Sequence, residues 1–150
     1  MRGYLGIDAG GSKCEAMLLD PDGFVVGFGR CDVTESESRG SGRSPEAYRE
    51  AVRRALRTAP SRITHYKVYS TSRRRDRSLP TEIVDRATIR KVSEIESALI
   101  LTPGHCGIAA VAGTGTLAYG LRPDGRRRYL DGLGPVIGDY GGAYSIGLQA

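Results

Sequence analysis

The chain has 150 residues, 21 of which are glycine, and its formal net charge of +5 comes almost entirely from arginine. A chain of this length suits one domain, or one and a fraction, with a real hydrophobic core. Many glycines, few aromatic residues and no tryptophan favour a site built from loops on an α/β scaffold and argue against a helical bundle. The arginines alternate with acids along the predicted helices, so the charge favours a solvated surface over a nucleic-acid partner.

The three cysteines, Cys14, Cys31 and Cys106, lie far apart and form no CxxC pair. This spacing argues against a disulfide framework, a zinc site and an iron–sulfur cluster, and it fits a reducing compartment. No charged-then-apolar leader precedes Gly6, and no apolar run approaches 18 residues. We therefore expect a soluble, cytoplasmic protein with no membrane partner.

The first thirty residues read as strands joined by tight turns. Residues 4–8 form a short apolar run that ends in an acid, which is typical of a buried strand. Residues 14–19 and 24–28 predict two further strands, and the DPDG sequence at 20–23 predicts the turn between them. Residues 30–44 are polar and rich in serine and glycine, so we expect a loop there.

The clearest helix signal follows this loop. Ser44 suits an N-cap, Pro45 suits the first helical position, and Glu46 suits the first turn. Apolar residues then recur at steps of three and four until Pro60 ends the pattern; they are Tyr48, Val52, Ala55, Leu56 and Ala59. The opposite face carries arginines, and we interpret it as a solvated surface.

The middle of the chain carries weaker signals. The arginine-rich run at 73–77 is a poor nucleic-acid motif because no aromatic residues are interleaved with it. The other predicted elements are a strand at 65–70, a short helix at 81–87, a strand at 89–92, a helix capped by Ser93 and ending near 101, and a strand at 107–112.

The sequence repeats itself after a shift of 102 residues. Gly11 then falls on Gly113, Ser12 falls on Thr114, and the PDG turn at 21–23 falls on the PDG turn at 123–125. Matching turns and matching Gly/hydroxyl inserts at equal spacing indicate a duplicated module. The chain is therefore predicted to hold one full module and the beginning of a second.

The first turn has two interpretations. The glycines Gly10 and Gly11 let backbone N–H groups approach an anion, and Ser12 and Lys13 add a hydroxyl and a positive charge. Asp8 precedes them at a strand end and could hold Mg²⁺ through water. Because the segment is neither a Walker A motif nor a GxGxxG turn, an ordinary hairpin with glycines remains the alternative.

The second turn, AGTGT at 112–116, favours the phosphate interpretation. It offers another set of backbone donors and two hydroxyls, with no charge of its own. Two such hairpins facing one another would bind a polyphosphate from both sides. We therefore predict a two-domain site with a cleft between the domains.

Three stretches together resemble a known family: YLGIDAGGSKCEAMLLDPDG at 4–23, GIAAVAGTGTLAYGLRPDG at 107–125 and GLGPVIGDYGGAYSIGLQA at 132–150. They are similar to the N-acetylglucosamine kinases and related ATPase subunits of the actin, sugar-kinase and heat-shock-ATPase superfamily. The resemblance implies an α/β fold, a ribonuclease-H-like (actin-like ATPase) domain with a mixed sheet flanked by helices. It places this domain at residues 1–103 and the beginning of a second, similar domain at 104–150, with ATP and Mg²⁺ as cofactors.

The resemblance also implies roles for individual residues. It assigns Gly10, Gly11, Ser12 and Lys13 to the first phosphate loop, with Asp8 beside Mg²⁺. It assigns Gly113, Thr114, Gly115 and Thr116 to the second phosphate loop, and it places Asp139 facing the sugar.

The substrate end of the sequence departs from the family pattern. Glu94 stands at the position of the family's catalytic Asp, and Glu35 stands where a sugar-binding Asn is usual. Leu133 replaces a common Trp. A carboxylate at Glu94 could accept the proton of the substrate hydroxyl. It could equally be a first-turn acid favoured by the helix dipole, with Glu96 as a substitute base.

The resemblance implies an ATP-dependent kinase that phosphorylates a sugar hydroxyl, of the N-acetylglucosamine-kinase type. The alternatives are an ATPase activator subunit for a partner enzyme and a non-catalytic, sugar-sensing half. The family's adenosine pocket comes from later in the second domain, so we expect the chain to be an N-terminal half. The remainder of the second domain, or a homo-oligomer, would complete it.

Overall fold

The computed structural model describes residues 1–34, 44–71, 79–134 and 136–150. The chain divides into two compact units, Met1–Val92 and Ser93–Ala150, and each is described by itself. The predicted domain division at 103/104 stays a prediction. Glu35 and the arginine-rich run at 73–77 lie outside the described residues. Across the described ranges, no helix is both long and apolar enough to cross a membrane.

The first unit is built on a mixed five-stranded sheet in the order β3-β2-β1-β4-β5. Strand β1 pairs antiparallel with β2 and parallel with β4, while β2–β3 is antiparallel and β4–β5 is parallel. The strands are β1 (Arg2–Ala9), β2 (Lys13–Leu19), β3 (Val25–Asp32), β4 (His65–Ser70) and β5 (Ala87–Lys91). The mixed sheet that the resemblance implies is therefore confirmed.

Helix α1 (Pro45–Leu56) covers one face of this sheet. The Ser44 Oγ accepts a hydrogen bond from the Ala47 N–H at 3.0 Å, which confirms the predicted N-cap. The helix packs onto β2 and β3, and its apolar residues belong to the same buried core as residues of β1 and β4. Two of its arginines pair with acids one turn away, Arg49 with Glu46 and Arg54 with Glu50, as expected of a solvated face. Helix α2 (Thr81–Val84) is a single turn.

Two glycines of β3 determine how closely α1 approaches the sheet. A Cβ at Gly27 would overlap the carbonyl oxygen of Ala55, and a Cβ at Gly29 would overlap that of Ala51. Both glycines are buried. The helix backbone therefore lies directly against the strand backbone, a contact that only glycine permits.

Two predicted boundaries are wrong for the same physical reason. The strand predicted at 24–28 is β3, which continues to Asp32 because Asp32 pairs with Lys13. The helix predicted at 81–87 ends at Val84, and Ala87 begins β5 because it pairs with Tyr66. In both cases strand pairing between distant residues overrides the local pattern.

The second unit is smaller. Its sheet has the order β6-β7-β8, antiparallel throughout, formed by β6 (Gly107–Ala112), β7 (Thr116–Leu121) and β8 (Arg127–Asp131). Helix α3 (Glu94–Leu99) precedes it and α4 (Ala143–Gly147) follows it. Leu99 on α3 packs with Ala109 and Tyr119 as the buried core of this unit.

The repeat seen in the sequence is present in the two hairpins. The Asp20 N–H donates to the Phe24 carbonyl at 2.9 Å, and the Arg122 N–H donates to the Arg126 carbonyl at 2.9 Å, 102 residues later. The tips differ, because strand pairing leaves residues 10–13 unpaired in the first hairpin and only 113–115 in the second. The second loop is therefore one residue shorter than the first.

Candidate functional site

The first candidate loop is the turn between β1 and β2. Its base is closed by the Gly10 N–H, which donates to the Lys13 carbonyl at 3.0 Å, and the Val33 N–H donates to the Ser12 carbonyl at 2.8 Å. Gly11 and Ser12 are exposed at the tip. Among the residues that the structure describes, no acceptor receives the N–H of Gly11 or of Ser12. These two amides, with the Ser12 hydroxyl beside them, are the donors that an anion could reach.

The side chain of Lys13 forms an ion pair beside this loop. Its ammonium lies 2.9 Å from a carboxylate oxygen of Glu15, and the Arg30 guanidinium lies 3.7 Å from the other oxygen of the same carboxylate. Glu15 also lies directly opposite Asp8 in the antiparallel pairing of β1 with β2. The charge of Lys13 is therefore shared with an acid that sequence reasoning did not assign to the site.

Asp8 lies near the end of β1, next to the loop, and its side chain is held by Thr71. The Thr71 Oγ1 donates to the Asp8 Oδ1 at 3.2 Å and accepts from the Ala9 N–H at 3.0 Å. Thr71 directly follows β4, which runs parallel to β1, so both residues lie at the carboxyl ends of neighbouring strands. Sequence reasoning missed Thr71, because it is 63 residues from Asp8.

The residues around Asp8 fit a magnesium ion held mostly by water and phosphate. Asp8 is exposed, and in the described ranges no three His, Cys, Asp or Glu side chains are grouped to hold a metal. Mg²⁺ in nucleotide sites is bound through one or two carboxylates, several waters and the phosphates themselves. A single carboxylate beside the first candidate loop matches that donor set.

The second candidate loop is the turn between β6 and β7. The Gly113 N–H donates to the Gly115 carbonyl at 2.9 Å, so this amide is used within the loop. The N–H groups of Thr114 and Gly115 reach no acceptor within the described part of the chain. The loop thus offers the exposed amide and hydroxyl of Thr114 and the half-buried amide of Gly115, the same kinds of donor that the first loop offers.

The start of α4 is fastened to this second loop. The Ala143 N–H donates to the Gly113 carbonyl at 2.9 Å, and the Tyr144 N–H donates to the Thr114 carbonyl at 3.1 Å. Gly142 is buried against the loop, where a Cβ would overlap the Thr114 carbonyl oxygen. These helix amides therefore support the loop instead of facing a ligand.

Two predicted residues, Thr116 and Asp139, meet at the base of this loop. The Asp139 carboxylate lies so close to Gly115 that a Cβ there would overlap its Oδ2. The Thr116 Oγ1 donates to the Tyr140 carbonyl at 3.0 Å, so this hydroxyl is already engaged within the unit. The structure thus brings Asp139, predicted to face the sugar, against the predicted phosphate loop.

Asp131 organises the segment that carries Asp139, and sequence reasoning did not identify it. Its Oδ1 accepts from the N–H groups of Gly132 and Asp139, and its Oδ2 accepts from the Tyr140 N–H at 3.0 Å. The Thr116 Oγ1 lies 3.4 Å from the same Oδ2. The bond from the Asp139 N–H, followed by those from Tyr140 and Gly132, lowers the pKa of the Asp131 carboxyl.

Glu94 lies in the first turn of α3. The helix is capped by Ser93, whose Oγ accepts from the Glu96 N–H at 2.9 Å. Glu94 is exposed and bonds to no other described side chain. Both interpretations of Glu94, as base and as first-turn acid, are compatible with this position and stay predictions.

Within the described ranges, no cysteine belongs to a group of three side chains that could hold a metal ion. Cys14 is buried in the core of the first unit, and burial, followed by the charge of Asp8, raises the pKa of its thiol to about 12. Such a thiol stays protonated, whereas a metal ligand must be a thiolate. Cys31 pairs with Cys14 across β2 and β3, and Cys106 belongs to the other unit.

Comparison with known proteins shows that the chain is similar to sugar kinases and matches an ATPase family. The chain is 23% identical over 166 residues to the N-acetyl-D-glucosamine kinase of Dictyostelium discoideum, covering 97% of this chain and 52% of the relative. It is 24% identical over 164 residues to the N-acetylmuramic acid/N-acetylglucosamine kinase of Clostridium acetobutylicum, covering 100% of this chain and 52% of the relative. The chain thus spans about half the length of the curated relatives it matches.

A solved structure shows the same fold. A Chromobacterium violaceum protein provisionally described as an N-acetylglucosamine kinase superposes with a TM-score of 0.70 at 21% identity, over 99% of this chain and 55% of that protein. The predicted actin-like ATPase fold is thereby confirmed. The model of the BadF/BadG/BcrA/BcrD ATPase family matches residues 5–150. This chain belongs to the BadF/BadG/BcrA/BcrD ATPase family.

Proposed function

We propose that the protein transfers the terminal phosphoryl group of ATP to a hydroxyl of an amino sugar, as the N-acetylglucosamine kinases that it resembles do. One observation supports this most directly. Each of two repeated hairpins, in a chain of an ATPase family, ends in two amides and an exposed hydroxyl that have no described partner. Such turns bind phosphate oxygens without a lysine-based Walker motif.

The loops would act by stabilising charge. In phosphoryl transfer the negative charge is spread over the phosphoryl oxygens, and catalysis depends on positioning and on fixed dipoles. The amides of Gly11, Ser12, Thr114 and Gly115 are such dipoles, because each hairpin holds them before any ligand arrives. Lys13 adds a positive charge. It is paired with Glu15, and phosphate can replace Glu15 as its partner.

Asp8 would hold Mg²⁺ through water, and Thr71 would keep the carboxylate in place. When bound, the ion neutralises charge on the phosphates and orients them. Asp139 would contact the sugar from a position against Gly115. The predicted contribution of Glu35 to sugar binding stays a prediction outside the described residues.

Glu94 is the proposed base. As the sugar hydroxyl oxygen forms a bond to the terminal phosphorus, its proton would pass to the Glu94 carboxylate while the bond to ADP breaks. The exposed position at the beginning of α3 leaves the carboxylate accessible to a substrate. Its length, one methylene more than Asp, would affect which hydroxyl is placed in line.

The proposal is tested with full-length protein in a coupled assay of ADP release over a panel of hexoses and hexosamines. Sugar-dependent release by the wild type, abolished in Glu94→Gln and retained in the matched Glu96→Gln, supports both the kinase and the base. Loss in Glu96→Gln alone would assign the base to Glu96. The absence of sugar-dependent release over the whole panel contradicts the proposal.

The departures at Glu94, Glu35 and Leu133 favour one alternative, a sugar-sensing protein that binds without turnover. Calorimetry separates the two, because a sensor binds sugar in the presence of a non-hydrolysable ATP analogue yet releases no ADP. The other alternative, an ATPase subunit that activates a partner enzyme, would need a cluster of thiolates. The buried, protonated Cys14 argues against it, and iron analysis of the purified protein tests it.

A further inference from the structure

The segment between β8 and α4, residues 132–142, is closed by a single carboxylate. Asp131, at the end of β8, accepts hydrogen bonds from the N–H groups of Gly132, Asp139 and Tyr140. It therefore joins the first residues of the segment to the last. The Asp139 Oδ1 in turn accepts from the Gly134 N–H at 3.2 Å, which closes the segment a second time.

The same carboxylate reaches the second loop. The Thr116 Oγ1 lies 3.4 Å from the Asp131 Oδ2 and donates to the carbonyl of Tyr140, a residue whose N–H Asp131 holds. Asp139, whose N–H is also held by Asp131, presses its carboxylate against Gly115. The loop and the segment therefore depend on one set of bonds with Asp131 at its centre.

The backbone around Asp131 is built for this arrangement. Asp131 and Asp139 both adopt positive φ, 69° and 59°, a conformation that Asp and Asn tolerate better than other non-glycine residues. Gly138 is buried where a Cβ would overlap the Asp131 Oδ1. The chain thus leaves space for the Asp131 carboxylate. It also accepts a strained backbone conformation at both Asp131 and Asp139.

We propose that Asp131 is a positioning residue that fixes the Gly113–Thr116 loop and Asp139 relative to each other. This inference rests on the proposed function, because it assigns the loop to phosphate and Asp139 to the sugar. Asp131 itself contacts neither ligand. It acts by holding backbone amides, so that the donors at Thr114 and Gly115 are already in place when the nucleotide binds.

The substitution that tests this is Asp131→Asn, because Asn matches Asp in size and tolerates the same φ. Its amide group presents N–H where the Tyr140 N–H requires an acceptor, so at least one bond of the set is lost. The matched control is Asp124→Asn in the β7–β8 turn of the same unit. There the Asp124 Oδ1 accepts from the Arg126 N–H and the carboxylate pairs with Arg122.

Two measurements on full-length protein decide the inference. We expect Asp131→Asn to raise KM for ATP about tenfold with a smaller change in kcat, since it weakens a site that binds substrate and transition state alike. Mere loss of folded protein would lower apparent kcat and leave KM unchanged. Without nucleotide, exchange of the hydrogen-bonded amides of Gly113, Asp139, Tyr140 and Gly142 should rise in Asp131→Asn and stay unchanged in Asp124→Asn.

The outcomes separate this inference from the proposed function. Unchanged KM and unchanged exchange in Asp131→Asn, relative to Asp124→Asn, overturn the positioning role even if the kinase is active. If the wild type shows no phosphoryl transfer, the proposed function fails, and exchange without nucleotide alone then decides whether Asp131 holds the loop and Asp139 together. Raised exchange confined to those amides, together with raised KM, supports the positioning role.

Discussion

Thr71 holds the Asp8 carboxylate in place through a hydroxyl that also binds the backbone of the next residue. It donates to the Asp8 Oδ1 and accepts from the Ala9 N–H. Replacement by valine keeps the shape and removes both bonds, leaving a partly buried N–H without its acceptor. We expect Thr71→Val to lower stability by about 1 kcal/mol and kcat/KM for MgATP by about tenfold.

Thermal unfolding and steady-state kinetics at varied Mg²⁺ measure these two effects. Thr71→Ser should restore most of the activity, because the hydroxyl returns. Thr88→Val, on the exposed side of β5, serves as the control and should behave as wild type. Unaltered Mg²⁺ dependence in Thr71→Val would show that Thr71 does not orient Asp8.

Cys14 makes the stability of the protein sensitive to alkaline pH. Burial raises the pKa of its thiol to about 12 from 9.0, so the unfolded chain loses this proton at a lower pH than the folded chain. The contribution of Cys14 to the free energy of unfolding is therefore fully present below about pH 9, and it declines as the pH rises toward about 12. At about pH 10.5 the loss from Cys14 should reach about 2 kcal/mol relative to about pH 8.

Urea unfolding at these two pH values measures the decline. Cys14→Ala should be less stable at about pH 8, because it removes a buried sulfur, but it should lose less stability between the two pH values by about the same 2 kcal/mol. Cys106→Ala should keep the wild-type difference. Tyr48, whose pKa burial raises to about 12 from 10.0, accounts for part of what remains. An equal decline in Cys14→Ala would refute the assignment.

The sequence located the candidate loops but not the residues that support them. Gly11, Ser12 and Thr114 could be found because a turn between two strands is a local pattern that recurs after 102 residues. Thr71 could not, because its link to Asp8 depends on the pairing of β1 with β4. Asp131 could not be found either, since its role depends on hydrogen bonds to the backbone of Asp139 and Tyr140, eight and nine residues later.

At the scale of elements, the contact between α1 and β3 is the tightest in the first unit. A Cβ at Gly29 would overlap the Ala51 carbonyl oxygen, and no flexible side chain is there to move aside. Gly29→Ala must therefore displace the helix, and we expect a loss of about 3 kcal/mol or more in the free energy of unfolding. Chemical denaturation monitored by far-UV circular dichroism measures it.

Gly6→Ala is the matched control for this prediction. Gly6 lies on β1 of the same sheet, and a Cβ there would meet nothing within 4 Å. The substitution should change stability by less than about 1 kcal/mol, since alanine costs no space and restricts the unfolded chain. Equal losses in the two variants would mean that the helix does not depend on its close approach to β3.

The elements themselves differ in how far local sequence determined them. Helix α1 could be predicted from Ser44, Pro45 and the apolar periodicity, because a cap and a helical face are local. Strand β5 could not be placed correctly, because Ala87 takes its conformation from Tyr66, a residue on another strand. The order of the strands in each sheet could likewise not be predicted from local patterns. The mixed sheet was predicted from the family resemblance.

At the scale of the molecule, the two units have unequal cores. Among the described residues, sixteen buried apolar side chains form the core of the first unit, whereas Leu99, Ala109 and Tyr119 form that of the second. Burial of apolar surface is the main source of stability, so a small core opens at lower free energy. We expect amides of β6–β8 in this 150-residue chain to exchange with solvent faster than those of β1 and β4.

Native-state hydrogen exchange at increasing urea concentration tests this difference. The opening reactions that expose the amides of the second unit should be promoted at lower urea concentrations. The amides of β1 and β4 should show the highest opening free energies of the chain. Val68→Ala, in the core of the first unit, should accelerate exchange in β1 and β4 by removing buried methyl groups. Protection of β6–β8 equal to that of β1 would contradict the prediction, because it would require stabilisation of the second unit beyond its three buried side chains.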